Sequence, residues 1–325
     1  MIVDKKVLIL GGAGYIGGYT TEYLLRKNSV PGHSYDVCVF DNLTYETRYL
    51  KEVKFVYGDI RNTKYVLDIA KDYDVVVLMA ALVGDPACAV DVALTDEINH
   101  IAVKNICEQL DKSKHIIFLS TCSVYGAQSE ILDENSPTNP LSAYASTKLL
   151  AEKYVTKRNG TIFRLGTVYG LGDTDSRIRL DLVVNVLTMR AIYEKKIQIF
   201  GGDQWRPLIC VRDVAGYVEE AIRKDIRGTY ILAEENYRMT ALGDIVKQVI
   251  PEVDLQFVDI SFEDARNYKV NRNKMLLAFE YRPQHLIRDE IKKMKKIFEE
   301  HRICDINEET YHNGRFIKKN ILEIR

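Results

Sequence analysis

Tyr144 and Lys148 lie four residues apart in the run Leu141-Ser142-Ala143-Tyr144-Ala145-Ser146-Thr147-Lys148. The pattern predicts a helix over Leu141–Tyr154, and a separation of four places both side chains on one face, a turn apart. A phenol has an ordinary pKa of about 10 and is a poor base at neutral pH. An ammonium group beside it favours the phenolate and brings its proton into use. Thr121 ends the apolar stretch His115–Leu119 and Ser120, and its hydroxyl is suited to bond the same oxygen. The three together suit removal of a proton from an alcohol that is becoming a carbonyl. A plain Tyr–Lys pair on a helix surface is the alternative. What separates the two readings is whether a site for a redox partner accompanies the pair.

Such a site is written near the start of the chain. Lys5 to Gly18 read K-K-V-L-I-L-G-G-A-G-Y-I-G-G. Val7–Leu10 is a continuous apolar run, as in a strand buried on both faces, and Tyr15–Lys27 resumes with helical spacing. Gly11, Gly14 and Gly17 allow a tight turn, close approach of a pyrophosphate, and intimate helix–strand packing. Tyr15 and Ile16 open the helix whose N–H groups would face the phosphates. A second strand, Tyr35–Phe40, ends in Asp41-Asn42, 24 residues after Gly17. A carboxylate there suits ribose hydroxyls and repels a 2′-phosphate, which favours NAD over NADP. Val53–Tyr57 is closed by Gly58-Asp59-Ile60-Arg61, where Asp59 and Ile60 would flank an adenine or Asp59 would cap the helix after it. Tyr73–Met79 precedes the small pair Ala80-Ala81, which lets a ligand lie against the backbone. Cys88–Leu110 reads as one helix with Asn99 inside it.

Strands alternating with helices predict an α/β fold with a Rossmann-type, doubly wound parallel sheet. The repeat is clean through residues 1–166, expected to hold the dinucleotide and the reacting groups. Residues 167–325 read as a smaller mixed domain for substrate, partly interleaved with the first. Forty-five basic residues against 46 acidic give a formal charge of -1, with no bias toward nucleic acid. No apolar run approaches the ~20 residues of a membrane span, and the charged N-terminus lacks a signal-peptide layout. Six cysteines without paired spacing argue for reduced thiols, no metal site and a cytoplasmic protein.

These residues resemble the extended short-chain dehydrogenase/reductases, specifically the NAD-dependent nucleotide-sugar epimerase/dehydratase group. The marks are Gly11-x-x-Gly14-x-x-Gly17, Asp41-Asn42, Gly58-Asp59-Ile60, Ser120-Thr121-x-x-Val124-Tyr125-Gly126, Tyr144-x-x-x-Lys148, Arg164-x-x-x-Val168-Tyr169-Gly170, and Arg206-Pro207 ahead of Val211-Arg212-Asp213-Val214. Leu10 departs from the usual Thr before the first glycine. Leu82–Cys88, Ser120–Gly126 and Asp181–Asn185 are similar to a narrower subset, bacterial capsule-pathway enzymes of the GDP-D-glycero-D-manno-heptose 4-dehydrogenase type.

The resemblance implies that Thr121, Tyr144 and Lys148 are catalytic, that oxidation falls at C4 of a nucleotide sugar, and that Asn99, Tyr144, Lys148, Thr167 and Val168 join the NAD site. It implies substrate contacts from Thr121, Cys122, Ser123, Arg177, Arg179, Asn185, Arg206, Asp264, Arg266 and Tyr268, with Asn271 replacing the more usual Asp. In the 4,6-dehydratase branch Asp and Glu follow the Thr; Cys122 and Ser123 stand there instead, which argues against water elimination. A net GDP-heptose 4-dehydrogenase would need a second oxidant such as 2-oxoglutarate. A C4 epimerase is the alternative, and a non-catalytic NAD-binding regulator a third. A homodimer is usual in the group.

Overall fold

The computed structural model describes residues 3–46, 48–200, 202–258 and 267–324. Strand β1 (Val3–Leu10) leads into helix α1 (Tyr15–Lys27), followed by β2 (His33–Asp41), β3 (Lys54–Tyr57), α2 (Thr63–Ala70) and β4 (Val75–Leu78). Three short helices come next: α3 (Asp85–Cys88), α4 (Val92–Asp96) and, past a π-helical turn at Glu97–Ile101, α5 (Ala102–Gln109). Then follow β5 (His115–Thr121), β6 (Ile131–Leu132), α6 (Ala143–Lys157), β7 (Thr161–Leu165) and β8 (Thr167–Tyr169). The second half holds α7 (Val183–Tyr193), β9 (Lys196–Phe200), β10 (Trp205–Cys210), α8 (Val211–Lys224), β11 (Gly228–Leu232) and β12 (Glu235–Arg238). It continues through α9 (Met239–Val249), β13 (Asp254–Val258), β14 (Lys269–Val270), α10 (Asn273–Ala278), α11 (Ile287–Glu299) and α12 (Asn313–Ile324).

Seven parallel strands form one sheet in the order β11-β7-β5-β4-β1-β2-β3. Chain order runs outward in both directions from β1 and β4, so the switch point lies between them. Ligands of such sheets bind there, beyond the carboxyl ends of the strands. Side chains alternate along each strand and feed two cores. Leu8, Leu10, Val76 and Phe118 face one; Val7, Ile9, Val77 and Ile117 face the other. A third core gathers α7, α9 and α11 around Leu187, Val246 and Met294.

Two readings of the sequence change. The run Cys88–Leu110 is not one helix: the Asp91 side chain accepts the Leu94 N–H and caps a new start, and the π-helical turn interrupts it again. Helix α12 was not anticipated. Its Ile317 is fully buried in the first core, with Phe316, Ile321 and Ile324 packed alongside. From the second half, β11 pairs with β7 and completes the edge of the large sheet.

Candidate functional site

A cleft opens at the switch point, with about 1160 Å³ of space between its walls once its open mouth is counted. The glycine turn forms its floor. Gly11 has φ +88°, and a Cβ there would meet the Ala80 backbone nitrogen at 2.4 Å. A Cβ on Gly17 would stand 2.1 Å from the Gly11 carbonyl oxygen. Both glycines are required by protein packing alone. Gly14 differs: a Cβ there would meet no atom closer than 3.6 Å. It starts α1 without a side-chain cap, leaving the positive end of the helix to whatever fills the cleft.

Around that floor stand Tyr15, Ile16, Asp41, Asn42, Asp59, Ile60, Ala80 and Ala81. Asp41 accepts the Ala13 N–H (3.0 Å) and the Leu43 N–H (2.8 Å), tying the turn to the loop after β2. Burial raises its carboxyl above the usual range, and those N–H groups oppose the rise. Burial also works against the charge of Asp59, but Arg61 outweighs it through a forked ion pair (2.7 Å at Nη2) and holds the carboxyl low. Asn99 does not line the cleft. It is fully buried, and its amide grips both the N–H and the C=O of Leu82 at 2.9 Å. The loop after β4 is thereby fixed, and Leu82 and Val83 form a wall. Thr167 and Val168 lie outside the lining, in β8 beside Leu208 and Ile209.

Helix α6 delivers Tyr144 and Lys148 to the same cleft. Ser142 caps it by accepting the Ala145 N–H and donates its own hydroxyl to Asp85 (2.6 Å). Tyr144 is partly exposed toward the cleft, and burial raises the affinity of its hydroxyl for the proton. Cys88 and Asp85 add to that, while Arg179 and a hydrogen bond with Thr121 oppose it. Lys148, expected to lower the Tyr144 pKa, is not among the strongest influences on it. Its own ammonium is pushed down to about 7 by burial, and Nζ sits 4.1 Å from the centre of the Phe118 ring. Thr121 ends β5, and its Oγ1 accepts the Ser123 N–H (3.1 Å).

The residues expected to touch substrate divide. Arg177 and Arg179 line the cleft; Arg179 pairs with Asp181 (2.7 Å), and the Arg177 guanidinium lies 4.2 Å from the centre of the Tyr45 ring. Asn185 is fully buried and serves the backbone, bonding Gly170 and the Arg179 carbonyl. Cys122 turns away from the cleft: its Sγ is 3.3 Å from the Arg164 carbonyl oxygen, and burial raises its thiol far above the ordinary value. Ser123 is buried beside it in the short turn after β5. Arg206, on β10, donates to the Trp205 carbonyl and to Gln204, both at 3.0 Å, and is not in the lining of this cleft. Tyr268 is buried with Cys122, Tyr125 and Leu132. Asp264 and Arg266 lie outside the described residues.

Residues 7–233 match the family described as NAD dependent epimerase/dehydratase family. The chain belongs to it. It is 30% identical over 266 residues to a UDP-glucose 4-epimerase of Lactobacillus helveticus, covering 74% of this chain and 75% of that one. The fold is shared with the UDP-glucose 4-epimerase of Thermotoga maritima, solved with UDP-glucose (TM-score 0.76, 21% identity, 91% and 99% of the two chains). It is shared equally with the dTDP-glucose 4,6-dehydratase of Bacillus anthracis, solved with NAD (TM-score 0.75, 21% identity, 94% and 98%).

The residues present fit the family's NAD. Gly14 leaves an open helix start, Asp41 and Asn42 stand at the end of β2, and Ala80 and Ala81 leave the wall low. Sequence reasoning missed Thr44, Tyr45, Glu46, Val83 and Asn313, all in the lining. Apolar spacing at Phe316, Ile317, Ile321 and Ile324 was the available signal for the element bearing Asn313. Among the described residues, one His/Cys/Asp/Glu grouping has metal-like spacing: Cys210, Asp213 and His285. Asp213 there already accepts from Tyr281 Oη, the Gln284 and His285 N–H groups and the His285 ring. That cluster is a clasp between β10–α8 and the loop before α11. No described helix is long and apolar enough to cross a membrane.

Proposed function

We propose that this chain is a nucleoside-diphosphate-sugar 4-epimerase, acting through reversible oxidation at C4. The observation that carries the reading is the convergence of Tyr144, Lys148 and the glycine turn on one cleft at the switch point, in a chain whose 30%-identical relative is named a UDP-glucose 4-epimerase. Gly14, Asp41 and Asn42 would hold NAD, which when bound would supply the acceptor and donor of hydride. The protein's residues handle the proton. Tyr144 takes it from the C4 hydroxyl, and Thr121, bonded to the tyrosine, holds the sugar oxygen as the 4-keto form develops. Lys148 supplies positive charge beside the tyrosine on the same helix face. Return of hydride and proton to the other face of C4 gives the epimer.

Cys122, its thiol turned to the Arg164 carbonyl and its pKa raised by burial, supports the case against 4,6-elimination, and Ser123 carries no acidic group to take the other role. The division of labour at residue 166, the substrate contacts of Arg177, Arg179 and Arg206, and a homodimer are parts of the proposal. A second reading is a net 4-dehydrogenase for a GDP-linked heptose, with 2-oxoglutarate as second oxidant. It rests on the resemblance of the run Leu82–Cys88 alone; the named relatives favour the epimerase.

The test incubates the protein and added NAD with UDP-, dTDP- and GDP-hexoses and a GDP-heptose, with and without 2-oxoglutarate. A product of unchanged mass and altered retention, independent of the keto acid, is expected. A product lighter by two hydrogens that accumulates with the keto acid overturns epimerisation in favour of the second reading.

A further inference from the structure

Helix α12 lies beyond the residues that match the family, yet it reaches the cofactor cleft through Asn313. Twelve residues span about 18 Å, and the helix is fastened along that whole length. At its start the Asn313 amide donates to the Val83 carbonyl (2.8 Å), and its N–H is held by Asp181 (2.9 Å). Arg177 donates to the Asn313 side-chain oxygen and to the Thr310 carbonyl. Gly314 packs on Pro86, which a Cβ would approach to 2.9 Å. In the middle, Phe316 meets the Tyr45 ring at 5.0 Å between centres, and Ile317 enters the core of the first half. At its end the Ile324 carbonyl accepts from Arg61 (2.8 Å), the residue that clamps Asp59.

The helix thus joins the wall after β4, the loop after β2 and the turn after β3, three separate edges of one cleft. It also ties them to Asp181 and Arg177 of the second half. We infer that α12 is a strap that completes the dinucleotide site and must detach before the dinucleotide can leave. Asn313 and Phe316 are its two latches. Asn313 closes the side at Val83 and Arg177, where its removal takes the amide donor from the Val83 carbonyl and one of two acceptors from the Arg177 guanidinium. Phe316 closes the side at Tyr45. The strap serves the epimerase reading directly, because a cofactor that must return its hydride to the same sugar has to remain through the cycle. This inference rests on that reading's dinucleotide, though not on its substrate.

The test follows exchange rather than turnover. The full-length protein is loaded with NAD and mixed with excess etheno-NAD, and the rise of bound fluorescence gives the release rate. Asn313→Ala and Phe316→Ala are each expected to speed release about tenfold, the loss of one such interaction. Leu322→Ala, on the exposed face of the same helix (81% exposed), is expected to release at the parent rate. Equal release from the parent and both latch variants overturns the strap. In the unmodified protein, NAD is expected to slow amide exchange across 313–324, and unchanged exchange there overturns it without reliance on any variant. A parent that holds no dinucleotide at all removes the proposed function and the strap together; tight NAD with unlatched release removes the strap alone.

Discussion

One face of helix α6 carries two acid–base groupings, and they are opposite in kind. Glu152 and Arg164 lie deep, 5% and 8% exposed, in a network that closes on itself. Arg164 grips both carboxylate oxygens of Glu152 (3.1 Å from Nε to Oε1, 2.7 Å from Nη2 to Oε2) and donates to Tyr125 Oη (2.8 Å). Ser120 donates to the same carboxylate at 2.5 Å. Burial opposes the charge on Arg164, but Glu152 and Tyr125 outweigh it and fix the proton more firmly. One and two turns earlier, Lys148 and Tyr144 face the cleft with their charged forms disfavoured by burial. The closed network holds β5, β7 and α6 in register. The open pair is left for a ligand to complete. Chemistry belongs to the groups whose charge the protein has not already satisfied.

The sharpest break in that contrast is Tyr144→Phe, which deletes only the hydroxyl. Loss of a positioned acid–base group costs about 10²–10⁴ in rate, and we expect that loss in kcat with NAD still bound. Activity within tenfold of the parent would move the proton chemistry elsewhere. Glu152→Ala probes the other grouping. It strands a buried guanidinium, for which a loss of about 3–5 kcal/mol in stability is expected, measured by urea unfolding at pH 7. A change below about 1 kcal/mol, the scale of an exposed ion pair, would show that water reaches the network and erase the distinction.

The first half was legible because its signals are local. An apolar strand, three glycines and a helix occupy consecutive residues, and Tyr144 and Lys148 share a turn whatever surrounds them. What escaped is decided by distant partners. Asn313 finds its meaning at Val83, 230 residues away, and the helix bearing it reads on its own as a modest amphipath. Cys122 shows the complementary limit. It follows Thr121 directly, yet the turn after β5 sends its thiol to the Arg164 carbonyl and away from the cleft. Arg206 likewise has Gln204 and the Trp205 carbonyl as partners, a conformation that residue type and spacing do not specify.

The smallest predicted effect isolates Lys148. Its folded pKa is about 7, and the ordinary value is 10.5. Between those values the unfolded chain binds the extra proton, so this group makes the folded state more stable as pH rises from 7 toward 10. The buried thiols of Cys88 and Cys107, raised to about 12, act in the opposite sense above the ordinary thiol range. Cys107 is common to the parent and to Lys148→Met, so the difference between the two proteins removes it, and the influence of Lys148 on Cys88 enters only above the ordinary thiol range. With both stripped of nucleotide, the stability of the parent relative to Lys148→Met is expected to climb across pH 7–10. A flat difference would mean that Lys148 keeps its charge in the empty cleft. The contrast along α6 would then narrow to Tyr144 alone, with Lys148 already positive before any ligand arrives.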